Sequence, residues 1–373
     1  MICICRSGYT LLFMLSLLLY EIMVVLKVYN SDSYSEIIRG GGLFIVMILG
    51  MLRLMYLKVN MPKYTLSLIV YVFLFLIFNS FHGGFSTDKV LSIIFYPLVF
   101  IMSLSVFSRK SSVNSNMIWW FGILSTLIFS LLFLYYYSFL GKMTGMVKNS
   151  IYYQIVLLPT LLIFSRRVIT KLVMLMVFVC ILLSEKRGAL ILFLVSGFSF
   201  YLASYGFLIF KKILLVSILL WSYVLLSGFE IGIFDRLSTL IDDGGSGRTD
   251  IIVTLLLGFW EGGVQTLLFG NGLYSSIDLV GFTAHNDFLE VLYSFGMFGF
   301  IIYMLHIVTI FYMGIRFNKN GYRYYPIILS SIVIFVGMSI VTHIILYPAY
   351  VAFIAMLWAY LISDFIKIKN GDV

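Results

Sequence analysis

The chain has 373 residues, of which 62% are hydrophobic and only 11% charged, with mean hydropathy +1.07 and a formal net charge of +9. A soluble domain carries about twice that charged fraction, so the composition excludes an ordinary water-soluble fold and predicts an all-α polytopic integral membrane protein. Apolar runs near the ~20 residues that cross a bilayer as a helix fall, in chain order, at approximately 9–28, 41–57, 65–81, 89–107, 117–139, 150–165, 169–184, 189–210, 213–231, 295–314, 325–342 and 346–363. Arg6 precedes the first run and no small-residue cleavage site follows it, so Tyr9 to Val28 reads as a retained span. These about twelve transmembrane helices make one domain, 1–373, containing one long polar loop, 232–287. No solenoid or inverted repeat, linker or low-complexity segment interrupts it, and Asn30 to Arg39 is the only other outer loop with much polar character.

The placement of charge fixes the expected orientation. With the N-terminus inside, the inner loops hold fifteen basic residues against two acidic ones, and the outer side holds eight basic against thirteen acidic. That bias is the positive-inside rule, and it puts both termini in the cytoplasm. The surplus of positive charge is therefore a topology signal, and nucleic acid is not an expected partner. Asp250 to Gly270 is nearly long enough to span but contains Asp250, Glu261, Gly262, Gly263 and Gln265. A crossing there would carry Arg316, Lys319 and Arg323 outside and separate Arg248 from His285. The segment is expected instead as short helices lying in the interface or re-entering partway, within a wholly extracytoplasmic loop. Cys3, Cys5 and Cys180 offer no disulfide framework or zinc spacing, and the scattered acidic residues offer no metal cluster, so neither metal nor cofactor is expected.

In a chain this apolar, the one long polar loop is where chemistry or recognition is expected. His285 lies in Thr283-Ala284-His285-Asn286-Asp287-Phe288-Leu289-Glu290. Asn286 or Asp287 can cap the following helix and Glu290 can reinforce its first turn. His285 is then left just outside the helix, as a general base near neutral pH or as a histidine that only bonds loop backbone. Arg248 ends Gly244-Gly245-Ser246-Gly247-Arg248, where glycines admit an anion to the backbone and a guanidinium grips phosphate oxygens; the alternative is a solvated arginine. Arg236 can add to substrate binding or pair with Asp235 or Asp242. Lys186 and Arg187 occupy a very short outer turn, against the usual charge bias, or serve an ion pair with Glu185. Lys142 and Lys148 can widen the basic pocket. Glu21 suits a cavity or a paired structural role, Lys27 and Arg53 are expected to snorkel, and His306 and His343 read as packing residues on or near apolar spans.

Taken together, Arg187-Gly188, Ser246-Gly247-Arg248, Gly270-Asn271-Gly272, and His285-Asn286 with Leu289-Glu290, Gly296 and Gly299 resemble the O-antigen polymerase/O-antigen ligase family of bacterial envelope enzymes. The resemblance covers about Ser184 to Phe300. It departs from the family pattern at Glu185 and Lys186, where a small residue is common, and at Ile251 and Ile252, where an aromatic is common. It implies a metal-independent glycosyltransferase of the inner membrane in polysaccharide or lipopolysaccharide biosynthesis. Its donor would be a glycan on undecaprenyl diphosphate. Arg187 and Arg248 would hold the diphosphate, with Lys186, Arg236, Asn286, Glu290, Lys142 and Lys148 around the substrate, and His285 would deprotonate or orient the acceptor hydroxyl. A polymerase acting on lipid-linked repeat units is the favoured member, with a chain-length regulator as a candidate partner. A ligase delivering the glycan to lipid A core is the alternative, and a flippase for the same lipid-linked sugars is the reading from another class. A flippase would place polar groups along a midplane path, whereas here they concentrate in one outer loop.

Overall fold

A computed structural model describes residues 6–29, 87–108, 115–139, 148–207, 211, 248–344 and 347–371. Among them the chain is helical and contains no strand. The helices are α1 (Arg6–Tyr29), α2 (Thr87–Phe107), α3 (Ser115–Phe139), α4 (Ile151–Leu161, continued by a 3₁₀ turn Leu162–Phe164), α5 (Val168–Ser184) and α6 (Arg187–Tyr205). After the undescribed stretch come α7 (Arg248–Glu261), α8 (Gly263–Phe269), α9 (Ser275–Val280), α10 (Asp287–Lys319), α11 (Tyr325–Val341) and α12 (Pro348–Lys369). Each expected span within these residues falls on a helix, with limits agreeing within about five residues except that α10 begins at Asp287 rather than 295 and α12 runs on to Lys369 rather than 363. The expected spans 41–57, 65–81 and 213–231 lie outside the described residues, as do Cys3, Cys5, Arg53 and the loop from 232 to 247.

Four described helices are long and apolar enough to cross a membrane, Ser115–Ser138, Arg187–Tyr205, Asp287–Lys319 and Tyr350–Lys369, and five shorter apolar helices accompany them. Their packing shows which solvent suits them. On α5, Val168, Leu172, Leu175 and Val179 are exposed, while Val173, Val177, Cys180 and Ile181 on the other face are buried. On α10, Ile301, Leu305, Val308, Tyr312 and Ile315 form the exposed stripe, opposite Tyr303, His306, Ile310 and Phe317. Both stripes follow the helical period but are apolar on the outside as well as the inside, the pattern of a bundle surrounded by lipid. This is a membrane protein.

The bundle is built around α12, whose residues from Val351 to Ile362 are buried on every face. It packs along α2 and touches α4, while α6 runs along α11 and α3 along α4. Small residues permit the close approaches. A Cβ on Gly122 would strike Thr160, and one on Gly337 would strike Leu192. Polar side chains bridge helices inside the bundle, as where Trp358 donates to Ser331 Oγ (2.7 Å) and Tyr303 donates to Ser339 Oγ (2.8 Å). At the end of the bundle where α5 and α6 do not join each other, Arg167 lies over the Trp119 and Phe164 rings and bonds Asn116.

The ambiguous segment does not form a single crossing helix. It is divided into α7 and α8 by a turn at Gly262 and Gly263, the latter at φ +76°. The 14 residues of α7 reach only about 21 Å, short of a hydrocarbon core of about 30 Å. One side of α7 builds a small core of its own from Leu255 and Phe259 with Ala284 and Tyr293. The other side exposes Val253, Leu257 and Trp260, the last 75% exposed. Such a two-faced helix suits a membrane interface.

Candidate functional site

The loop is fastened to α10 at a break in that helix. Gly296 has φ 67° and ψ −168°, a conformation open in practice only to glycine, and it divides α10 into a short first part and a long second part. In an unbroken helix the carbonyls of Tyr293 and Ser294 would accept from residues 297 and 298. Here they accept instead from Asn271 N (3.0 Å) and Gly272 N (2.8 Å). Gly270, at φ 77°, lies directly across: a Cβ there would come within 2.4 Å of the Ser294 and Phe295 backbone, and a Cβ on Gly296 within 2.4 Å of the Leu268 backbone. The Gly270-Asn271-Gly272 element and Gly296 therefore form one backbone-on-backbone crossing.

From this crossing the chain turns through α9 to His285. Glu290, fully buried in the first turns of α10, holds that turn from inside. Its carboxylate accepts from Ser276 Oγ (2.7 and 2.8 Å), from Ala284 N (2.9 Å) and from Ser294 Oγ (3.1 Å). Its oxygens thus bond the protein's own interior, and Glu290 orders the loop rather than facing outward. Asn286 is the cap: its Oδ1 accepts from Leu289 N (3.1 Å), and its Nδ2 donates to Ile340 O (3.2 Å). The capping amide so ties the loop to α11 as well as to α10.

His285 itself sits at φ +51°, in the left-handed region that a side chain with a Cβ seldom occupies. Its ring is half-buried between Phe282 and His343, with centroids 6.3 and 5.6 Å away. Among the described residues neither ring nitrogen has a hydrogen-bond partner. Burial first, and then interaction with His343, Arg248 and Lys186, pushes its pKa down from 6.5 to about 4. The imidazole is consequently neutral at physiological pH, with a lone pair available. Those same contributions bring Arg248 and Lys186 within electrostatic reach of His285. Arg248 is exposed at the first turn of α7, where helix amides also favour an anion.

The Arg187 turn is placed by Gly188. A Cβ on Gly188 would lie 3.0 Å from Tyr152 Oη and 3.3 Å from the Val341 side chain, so α6 begins tightly against α4 and the end of α11. Lys186 is the N-cap of α6 and Arg187 its first residue. The alternative reading, a pair of Glu185 with Lys186 or Arg187, gives way to another partner: Glu185, left-handed at φ 54°, accepts from Lys148 Nζ at 2.6 Å. The reason is tertiary, because the start of α4 lies beside the end of α5. Lys148 thus enters the site region as half of an ion pair. Arg236, Lys142, Ser246 and Gly247 lie outside the described residues, and so do the side chains of Glu21 and Lys27.

His343 and Thr283 were not expected in the site. His343 follows α11 and is 8% exposed. Its Nε2 accepts from His285 N (3.0 Å) and lies 2.8 Å from Thr283 Oγ1, while its Nδ1 faces the fully buried Asp287 Oδ1 at 3.3 Å. The available signal was topological, since the expected span 325–342 ends on the same predicted side as His285. The other intraspan histidine, His306, is a packing residue as expected, bonded through Nε2 to Tyr96 Oη (3.1 Å) within the bundle. Among the described residues no group of three His, Cys, Asp or Glu side chains could hold a metal ion.

A titration tests the environment of His285. Ring ¹⁵N shifts should give a midpoint near pH 4, since a depressed pKa keeps the neutral form until the pH falls that far. Arg248→Gln removes one depressing charge and should move the midpoint upward. A midpoint at 6.5 in both proteins would contradict the buried, cation-flanked placement. No protein-family model and no curated protein matches the chain.

Proposed function

We propose that the chain is a membrane-embedded glycosyltransferase that polymerises oligosaccharide repeat units carried on undecaprenyl diphosphate, of O-antigen or capsular type. In this reading it spans the bacterial inner membrane about twelve times, both termini are cytoplasmic, and the loop holding Arg248 and His285 works at the outer face. The observation that carries the reading is a neutral His285, its ring nitrogens bonded to none of the described residues, within the field of Arg248 and Lys186 at the edge of an apolar bundle. Such a site offers a base for a hydroxyl and cations for a diphosphate, beside a surface suited to a long lipid.

The reaction follows from those groups. An acceptor sugar hydroxyl attacks the anomeric carbon of the donor glycan and gives its proton to His285. The new C–O bond forms as the bond from that carbon to the diphosphate oxygen breaks, and undecaprenyl diphosphate departs as an anion. Arg248, with Arg187 and Lys186 at the neighbouring turn, offsets the charge that grows on the leaving group. Cations already in place are effective there because they need not reorient during the reaction.

Expression in a host that makes the native lipid-linked repeat but lacks its own polymerase tests this directly. A ladder of repeat lengths is the expected glycan profile. Transfer of single repeats to lipid A core would instead favour a ligase. Passage of single repeats across the membrane without any ladder would favour a flippase, and both results would reject the polymerase reading.

A further inference from the structure

We infer that His343 is a positioning residue for His285, acting through the backbone of the His285 turn. The inference rests on the proposed reading for its kinetic consequence but on local geometry for its content. A left-handed non-glycine residue is strained and persists only when its surroundings over-determine it. At His285 the conformation is held from both sides. On one side Glu290 takes the N–H of Ala284, and Asn286 is fixed by its cap and by Ile340 O. On the other, the N–H of His285 itself is taken by a side chain 58 residues away, the Nε2 of His343.

The tautomer follows from the donors. A backbone N–H can only donate, so Nε2 is an acceptor and the ring proton sits on Nδ1, toward Asp287. Asp287 is fully buried, and its second oxygen accepts from Ile344 N at 2.9 Å. The carboxylate thereby fixes both the ring and the backbone of the 343–344 corner to the first residue of α10. With its Nε2 lone pair engaged by His285 N, and Thr283 Oγ1 at 2.8 Å, His343 is not itself the base. Its ring also lies nearly parallel to that of His285, at 25°, so it supports the catalytic imidazole from behind. Losing the acceptor would leave the His285 N–H unsatisfied and let the turn relax, and a shift of about 1 Å at a reacting group costs about 10²-fold in rate.

His343→Phe keeps a ring and removes the acceptor, whereas His343→Gln returns an acceptor near the position of Nε2. Both are measured as the purified full chain in lipid nanodiscs with a lipid-linked repeat unit as donor. The Phe variant should lose about 10²-fold in kcat, with KM for the donor changed by less than about threefold. Gln should restore kcat to within about tenfold of wild type, a rescue that a purely space-filling role would not produce. The double variant with His285→Ala should be no slower than His285→Ala alone, because residues acting as one unit are not additive. Wild-type kcat in the Phe variant would overturn the inference, and so would multiplying effects in the double variant. Should Phe not fold, Gln decides alone: folded and active supports positioning, folded and as slow as His285→Ala overturns it. If wild type transfers no glycan, the function reading fails separately. The ring ¹⁵N resonances of His285 then decide, since they should shift in the folded His343 variant that lacks an acceptor and return in Gln, and identical spectra would overturn the inference.

Discussion

His285→Ala should lower the rate of the proposed glycan transfer by about 10²–10⁴-fold, the range that a positioned general base contributes, and should leave the protein folded. The size of the effect follows from where the imidazole is placed, beside Arg248 and Lys186. Its pKa, pushed down to about 4, keeps it neutral at physiological pH but makes it a weaker base than an ordinary histidine, so position rather than basicity carries the rate. Its fold-level contribution is small, because its ring nitrogens bond no described residue and the turn is fastened by main-chain contacts on either side. Unchanged thermal unfolding with lost transfer is therefore the expected pair of results. A variant that loses both would place His285 among the residues that only hold the loop.

The second large effect is structural. Gly296→Ala should destabilise the protein by about 3 kcal/mol or more, combining a backbone conformation that side chains avoid with overpacking against main chain. The crossing cannot yield as a flexible side chain would, since the added carbon meets the Leu268 carbonyl and the Phe269 amide. Gly270→Ala should match it, because the same crossing is loaded from the other side. Gly281 is an internal control: it also has positive φ, 82°, but a Cβ there meets nothing within 4 Å. Its replacement by alanine should cost only about 1 kcal/mol, the conformational part alone. Thermal midpoints in detergent measure all three. Equal midpoints for the Gly281 and Gly296 variants would mean that the crossing is looser than described.

Which parts of this were legible in the sequence depends on how local their causes are. Helices such as α3, α6 and α12 were visible because an apolar run of that length has few other ways to satisfy its backbone in lipid. The start of the expected span at 295 coincides with the break at Gly296, since the change from polar loop to apolar helix is written in the composition. That Gly296 breaks the helix was hidden, because its conformation is dictated by Gly270, 26 residues earlier. Asn286 was legible as a cap from its local pattern. Glu290 was legible as a residue of the first helical turn, but not the partners that bury it, Ser276 and the Ala284 amide, which fold back over it from the preceding loop. Lys148 with Glu185, and His343 with His285, join segments that only tertiary packing brings together. A histidine at the end of an apolar run gives no local sign of the backbone amide it will accept.

In the proposed reaction a neutral His285 and the cation Arg248 move a glycan from a lipid diphosphate to a sugar hydroxyl. Its most direct test is transfer by the purified chain in nanodiscs, following release of undecaprenyl diphosphate and growth of the glycan together, for wild type, His285→Ala and Arg248→Ala. Wild type should release one lipid diphosphate for each repeat added. Both variants should fold yet fall by about 10²-fold or more, as the loss of a base or of one charge-stabilising donor does elsewhere. Polymer formed at the wild-type rate by either variant would rule out that role for the residue replaced.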